Sequence, residues 1–176
     1  MVAALAAARL LCADGGGEAA GLARALFAYN HDAGYVAAVL AWAARYDLTA
    51  AGDTSRGQIA ARWAVEQLGK PYRWGAAGPA GFDCSGLALR AWQAAGIALP
   101  RVAVQQYGAG PHVPVTDAAP GDLVFYAPDP SDPATIDHVG LALGDGRMVD
   151  APFTGAVVRI DAIGGPGLVA LATRPG

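Results

Sequence analysis

The hydrophobic pattern changes period part-way along the chain, and this change limits the folds open to it. Residues 1 to about 46 are rich in Ala and Leu and contain no proline. Leu22, Leu26 and Tyr29 fall at one helical spacing, and Tyr35, Val39 and Trp42 at another, so two or three short helices are expected there. ADGGGEAAG at 13–21 breaks the first helix from the next. Later the period drops to two. DLVFYA, HVGLAL, RMVDA, AVVRI and LVALATR are short β-prone runs punctuated by Gly, Pro and Asp. Helices first and strands afterwards predict an α+β architecture on an antiparallel sheet.

Between these regions lie a polar stretch and two further helices. Residues 48–56 read as a linker joining a helical segment, 1–47, to a domain over 57–176, with Asp53-Thr54-Ser55 supplying capping chemistry. Over 56–69, Ile59, Trp63 and Gln67 share a stripe with Ala60 and Ala64 beside it, and Gly69 and Pro71 end the helix. The glycine-rich loop YRWGAAGPAGFD leads into a helix that starts at Asp83-Cys84 and stops at Gly96.

Composition excludes several classes. Apolar residues make up 54% of the 176 and charged residues 15%, enough for a packed core. The net charge is −3 and no Lys/Arg cluster occurs, so nucleic acid is not expected as a partner. No apolar run reaches membrane-spanning length. MVAALAAARLLCA lacks a basic n-region and is interrupted by Arg9, so it reads as helix, not as an export signal. Cys12 and Cys84 lie far apart and do not suggest a disulfide framework. No Cys/His cluster has metal-ligand spacing, so neither metal nor cofactor is expected.

The chemistry concentrates on Cys84 and His138. An isolated cysteine is more often a small buried hydrophobe. Cys84 differs because Asp83 and Ser85 flank it where a glycine loop becomes a helix, and a helix N-terminus favours thiolate over thiol. His138, opening the run HVGLAL, is a candidate base. His31 in a helical turn and His112 in a proline-bounded loop are assigned no role.

The hairpin after His138 can be tested by register. A two-residue Asp145-Gly146 loop would pair residue 142 with 149 and turn Asp150 away from His138. A three-residue loop, Gly144-Asp145-Gly146, pairs 140 with 150 and places Asp150 on the His138 face as its diagonal neighbour. Gly140 leaves room between them. Asp150 could then orient the imidazole and support its charge, as the third member of a triad does.

The stretches GKPYRWGAAGPAGFDCSGL, LPRVAVQQ, APGDLVFY and DHVGLALGDGRMVDAP, in this order over roughly residues 57–173, resemble the NlpC-type cell-wall cysteine peptidases. The resemblance implies a papain-like fold. It also implies cleavage of peptidoglycan stem peptides, most often between D-γ-glutamyl and meso-diaminopimelate. Cys84 matches the nucleophile, His138 the base and Asp150 the third polar residue. Tyr72 matches a tyrosine lining the site, and Asp83 and Ser85 match substrate-contacting residues. Val102 and Ala103 depart from the pattern, since relatives often carry hydroxyl residues after the arginine. RALFAYNHDAGYVAAVLAWAARY is similar to the tail of a lytic transglycosylase domain, without that family's catalytic glutamate.

These likenesses imply an enzyme acting outside the cell or in the wall, with its export signal absent from this chain; a monomer is expected, although the sequence leaves the oligomeric state open. The rival readings are a wall-binding module without catalysis and a thiol acyltransferase or amidase on the same scaffold.

Overall fold

In this computed structural model, the described backbone covers residues 19–50 and 55–176, with side chains described for 23–43 and 55–176. Cys12, the expected helix over the first thirteen residues, most of the glycine break, the side chain of Leu22, and Asp53-Thr54 lie outside the described residues.

Among the described residues, five α-helices precede or flank a six-stranded sheet. The helices are α1 (Ala19–Asn30), α2 (Ala33–Ala50), α3 (Arg56–Val65), α4 (Cys84–Ala94) and α5 (Ala103–Tyr107). The strands are β1 (His112–Pro114), β2 (Leu123–Tyr126), β3 (His138–Ala142), β4 (Arg147–Asp150), β5 (Arg159–Ala162) and β6 (Leu171–Thr173). The sheet runs β1-β6-β2-β3-β4-β5, and its neighbouring strands pair antiparallel. The expected α+β class therefore holds.

Alternation along the central strands sorts their side chains onto two faces. Leu123, Phe125, Val139, Leu141 and Val149 point toward α3 and α4, forming the main core with Phe82, Leu87 and Trp92. Val124, Ala142, Met148 and Ala172 point the other way, beneath a thinner cover that includes Val113, Ile163 and Leu168. Removing Phe125 or Trp92 down to Ala would cost about 3–5 kcal/mol, because both are fully buried.

Small residues set the helix contacts differently from the expected stripes. On α3 the buried positions are Gln58, Ala60, Ala61, Ala64 and Val65, and Trp63 packs edge-on to Phe82, whereas Ile59 is exposed. Alanines let α3 approach Ala88 and Ala91 of α4, and that close approach outweighs the larger Ile59. On α1 and α2 the buried set is Leu26, Val36 and Leu40, packed with Ile160 of β5. Of the expected faces Leu26 and Val39 pack in this cluster, whereas Tyr29, Tyr35 and Trp42 stay exposed. Ser55 caps α3 by accepting from the Gln58 N–H, and α2 runs to Ala50, into the start of the expected linker.

Two strands also differ from expectation. The run AVVRI divides: Ala156 and Val158 bond the loop at Gly69–Tyr72, and the regular strand begins only at Arg159. β1 was not expected, because its prolines suggest a loop. It survives as an edge strand against β6, where a missing N–H is tolerated. His112 lies on it, stacked on Tyr107 at 4.2 Å and 3.2 Å from Thr173 Oγ1. His31 occupies the bend between α1 and α2 with φ +53°.

Candidate active site

The nucleophile candidate is positioned by its neighbour. Asp83 is the N-cap of α4: one carboxylate oxygen accepts from the Gly86 N–H at 2.7 Å, and the other from the Gly75 N–H at 2.8 Å. Arg101 grips the same carboxylate with both terminal nitrogens, Nη1 to Oδ1 at 3.0 Å and Nη2 to Oδ2 at 2.6 Å. A planar fork meeting a carboxylate bidentately is a strong and directional pairing. One buried side chain thus ties the glycine loop, the helix start and the Arg101 loop together. Gln106 adds a second tie, donating from Nε2 to the carbonyls of Ser85 at 2.9 Å and Pro100 at 2.8 Å. Gly86 cannot be replaced, since a Cβ there would lie 2.2 Å from the Ala76 carbonyl oxygen.

Cys84 is therefore the first residue of α4, half-buried and unbridged. Its N–H has no acceptor within the helix, as at any helix start. Tyr72 lies close enough for its phenol to be pushed up from the ordinary value by burial and then by Cys84 and Asp83.

Asp83 and Ser85, which the resemblance implies contact substrate, line the cavity over Cys84. Both are buried, and their polar atoms are already engaged by Arg101, which donates to Ser85 Oγ at 2.9 Å. The polar group on this wall that reaches solvent is Arg101, with 38% of its side chain exposed. Sequence reading assigned no role to Arg101 or Gln106. The capping rule could have flagged Asp83 as occupied, but no local pattern joins positions 18 residues apart.

The base candidate sits on the hairpin. His138 opens β3, opposite Tyr126 of β2. Leu141 pairs with Val149 and Ala142 with Met148, and the Leu143 N–H bonds the Arg147 carbonyl. That is the three-residue loop register, with Gly144 and Gly146 both at positive φ. His138 Nε2 lies 2.8 Å from Asp150 Oδ2. Gly140 leaves room between them, since a Cβ there would lie 2.6 Å from Met148 Sδ and displace that side chain.

With Nε2 on Asp150, Nδ1 is the nitrogen left to face Cys84, which lies near enough to raise the imidazole's pKa. Burial pulls the imidazole's pKa down, but hydrogen bonds to Asp150 and Cys84, together with their charges, outweigh it. The net effect raises His138 to about 9. Burial pushes the Asp150 carboxyl up, against the pull of His138.

A cavity of about 420 Å³ opens over Cys84. Trp74 and Gly75 form one side, Arg101 another, and Val102, Ala103, Val104 and Ile136 an apolar wall. Among the described residues no group of three or more His, Cys, Asp or Glu could hold a metal ion. No described helix is long and apolar enough to cross a membrane.

Known proteins resemble this chain in sequence and fold. The chain is 37% identical to peptidoglycan endopeptidase RipA of Mycolicibacterium smegmatis over 126 residues, covering 64% of this chain and 24% of that protein. It is 41% identical to the probable endopeptidase p60 of Listeria monocytogenes over 104 residues, covering 59% and 20%. The matches thus span only part of these curated relatives. The solved structure of the peptidoglycan hydrolase RipB from Mycobacterium tuberculosis superposes with a TM-score of 0.59 at 34% identity, covering 68% of this chain and 64% of that one. The NlpC/p60 domain of peptidoglycan hydrolase SagA superposes at 0.60 with 32% identity, covering 67% and 97%. The fold is therefore papain-like. Residues 69–171 match the model of the NlpC/P60 family, so the chain, with a free thiol at a helix start beside a carboxylate-paired histidine, belongs to that family.

Proposed function

We propose that this protein is a cysteine peptidase that hydrolyses peptidoglycan stem peptides, with Cys84 as nucleophile, His138 as base and acid, and Asp150 as the residue that orients His138. The observation that carries this reading is Cys84 at the start of α4 beside an open cavity, with His138 paired to Asp150 at 2.8 Å. Relatives named as peptidoglycan endopeptidases support the substrate class.

In this mechanism the thiol proton passes to His138, and the thiolate attacks the carbonyl carbon of the scissile bond. The helix-start N–H of Cys84 faces the developing oxyanion, and Tyr72 flanks it. The imidazolium then protonates the leaving amine as the C–N bond breaks, leaving a thioester. Water, deprotonated by His138, hydrolyses the thioester and restores the thiol. The proposed bond joins D-γ-glutamyl to meso-diaminopimelate. Its acyl side lies against the apolar wall of Val102 and Ala103, with Asp83 and Ser85 shaping the pocket largely through Arg101.

The protein acts in the cell wall or outside the cell, as a monomer and without cofactor. The helical segment, residues 1–47, is a transglycosylase-tail-like remnant or a cap, joined by the linker 48–56 to the peptidase domain, 57–176. Purified wall fragments digested with the protein and resolved by mass spectrometry test the function. Free amine at diaminopimelate is expected, and none should form with Cys84→Ser. Transfer of the acyl group to added amines in preference to water would favour the acyltransferase reading.

A further inference from the structure

The carboxylate behind His138 is under-supplied with partners. Asp150 is 2% exposed, and its Oδ2 is engaged by His138. Its Oδ1 is buried without a hydrogen-bond partner. A buried carboxylate with so few donors is driven toward its neutral form, and a neutral Asp150 could not support an imidazolium.

The edge strand β5 brings charge to this point. Arg159 is the direct cross-strand partner of Asp150, and Asp161 is that of Met148. Residues 148, 150, 159 and 161 therefore share one face. Tyr126, His138, Met148, Asp150, Arg159 and Asp161 line one open cavity of about 360 Å³. Arg159 is held at its margin: Nε donates to Asp161 Oδ2 at 2.7 Å, and the guanidinium lies 5.5 Å from the Phe153 ring centre.

We propose that Arg159 and Asp161 are an opposed pair of positioning residues: the Arg159 charge keeps Asp150 ionised behind His138, and Asp161 restrains that charge at the cavity margin. The groups facing Asp150 are His138 from β3, Arg159 and Asp161 from β5, and the Tyr126 phenol from β2. The Arg159 charge favours the carboxylate and the Asp161 charge opposes it, both from outside hydrogen-bond reach. The Tyr126 hydroxyl is occupied, accepting the Gly164 N–H at 3.3 Å. Arg159 and Asp161 are the two of these that can be exchanged on an exposed edge strand without entering the core.

This inference rests on Asp150 supporting His138, so Asp150→Asn belongs to the test. The Asp150 carboxyl is followed by carbon NMR in protein labelled at aspartate, its signal identified by its loss in Asp150→Asn. In Arg159→Met the carboxyl should titrate about half a pH unit higher, and the acid limb of kcat/KM should move the same way. That is roughly a threefold loss at a fixed pH on the limb. KM should change little, and Arg159→Lys should restore the limb. Asp161→Asn should move both readouts to lower pH. A merely structural role for the pair would lower activity equally at all pH values and leave the titration unmoved. Unchanged titration in both variants, or shifts of the same sign, would overturn the proposal while leaving Asp150's role intact. Full hydrolysis by Asp150→Asn would remove that role and the proposal with it.

Discussion

Two aspartates hold the two halves of the site, and their surroundings are opposite. Asp83 on the nucleophile side accepts from two backbone N–H groups and from both ends of the Arg101 guanidinium. Asp150 on the base side pairs with His138 through one oxygen and leaves the other unmatched. A saturated carboxylate fixes geometry, because any displacement breaks several charge-assisted bonds together. An unsaturated one keeps its free energy tied to the charge of its neighbour, so it responds to whether His138 is protonated. Cys84 is thus placed by a clamp, whereas His138 is tuned.

The contrast can be broken, first at the chemistry. Cys84→Ser should abolish hydrolysis with the fold retained, as judged by circular dichroism and thermal melting. Iodoacetamide should do the same by alkylating Cys84, and a chelator should change nothing. Preferential labelling of Cys12 with activity retained would remove Cys84 from its role.

The next effect separates the aspartates. Asp150→Ala should lower kcat by about two to four orders of magnitude, in line with loss of a group that orients a catalytic histidine. Asp150→Asn should be milder, with kcat falling more than KM rises, and Asp150→His should be partly active. Melting temperatures should fall less in all three than in Asp83→Ala. Asp83→Ala should show the reverse balance. It loses an N-cap and leaves Arg101 unpaired, a stability loss of about 2–4 kcal/mol by chemical denaturation. If Asp150→Ala destabilises more than Asp83→Ala, the division into clamp and tuned pair fails.

A smaller effect appears in the pH profile. The His138 pKa of about 9 lies above its unfolded value of 6.5. The pair it forms therefore adds stability that is complete below pH 6.5 and is lost as pH rises through 9. Activity that needs the imidazolium should fall over the same upper range. In Asp150→Asn the alkaline limb of kcat/KM should move to lower pH, because the charge that raised His138 is gone. An alkaline limb unmoved by this change would mean that Asp150 contributes shape alone.

The smallest effect concerns the N-terminal helices. Removing residues 1–50 should leave a folded domain with activity equal to or above that of the full chain. The cost is the contact of Leu26, Val36 and Leu40 with Ile160. Loss of folding on truncation would make that contact part of the core.

Much of the site was legible because its signals are local. A thiol after an N-capping aspartate and a histidine at a strand start can be recognised within a few residues. The Asp150 placement needed only the hairpin register, which loop length decides. The main central strands were legible for the same reason, through alternation and turn residues. The buried stripes of the helices were less so. On α3 the alanines won over Ile59, since closeness to α4 depends on what α4 presents, and α3 by itself carries no record of it.

By itself, then, the sequence determined the α+β order, the Cys84 and His138 candidates and the face on which Asp150 lies, because periodicity, capping and turn length act over a few residues. Only the tertiary structure decided that Arg101 and Gln106 lock the nucleophile helix. It also showed that β1 adds an edge to the sheet, and that Arg159 and Asp161 stand beside the carboxylate behind His138. These pairings join residues that are distant along the chain or on strands whose register is set by the whole sheet. Their free energy comes from burial and from charges brought together, quantities with no value until the chain has folded.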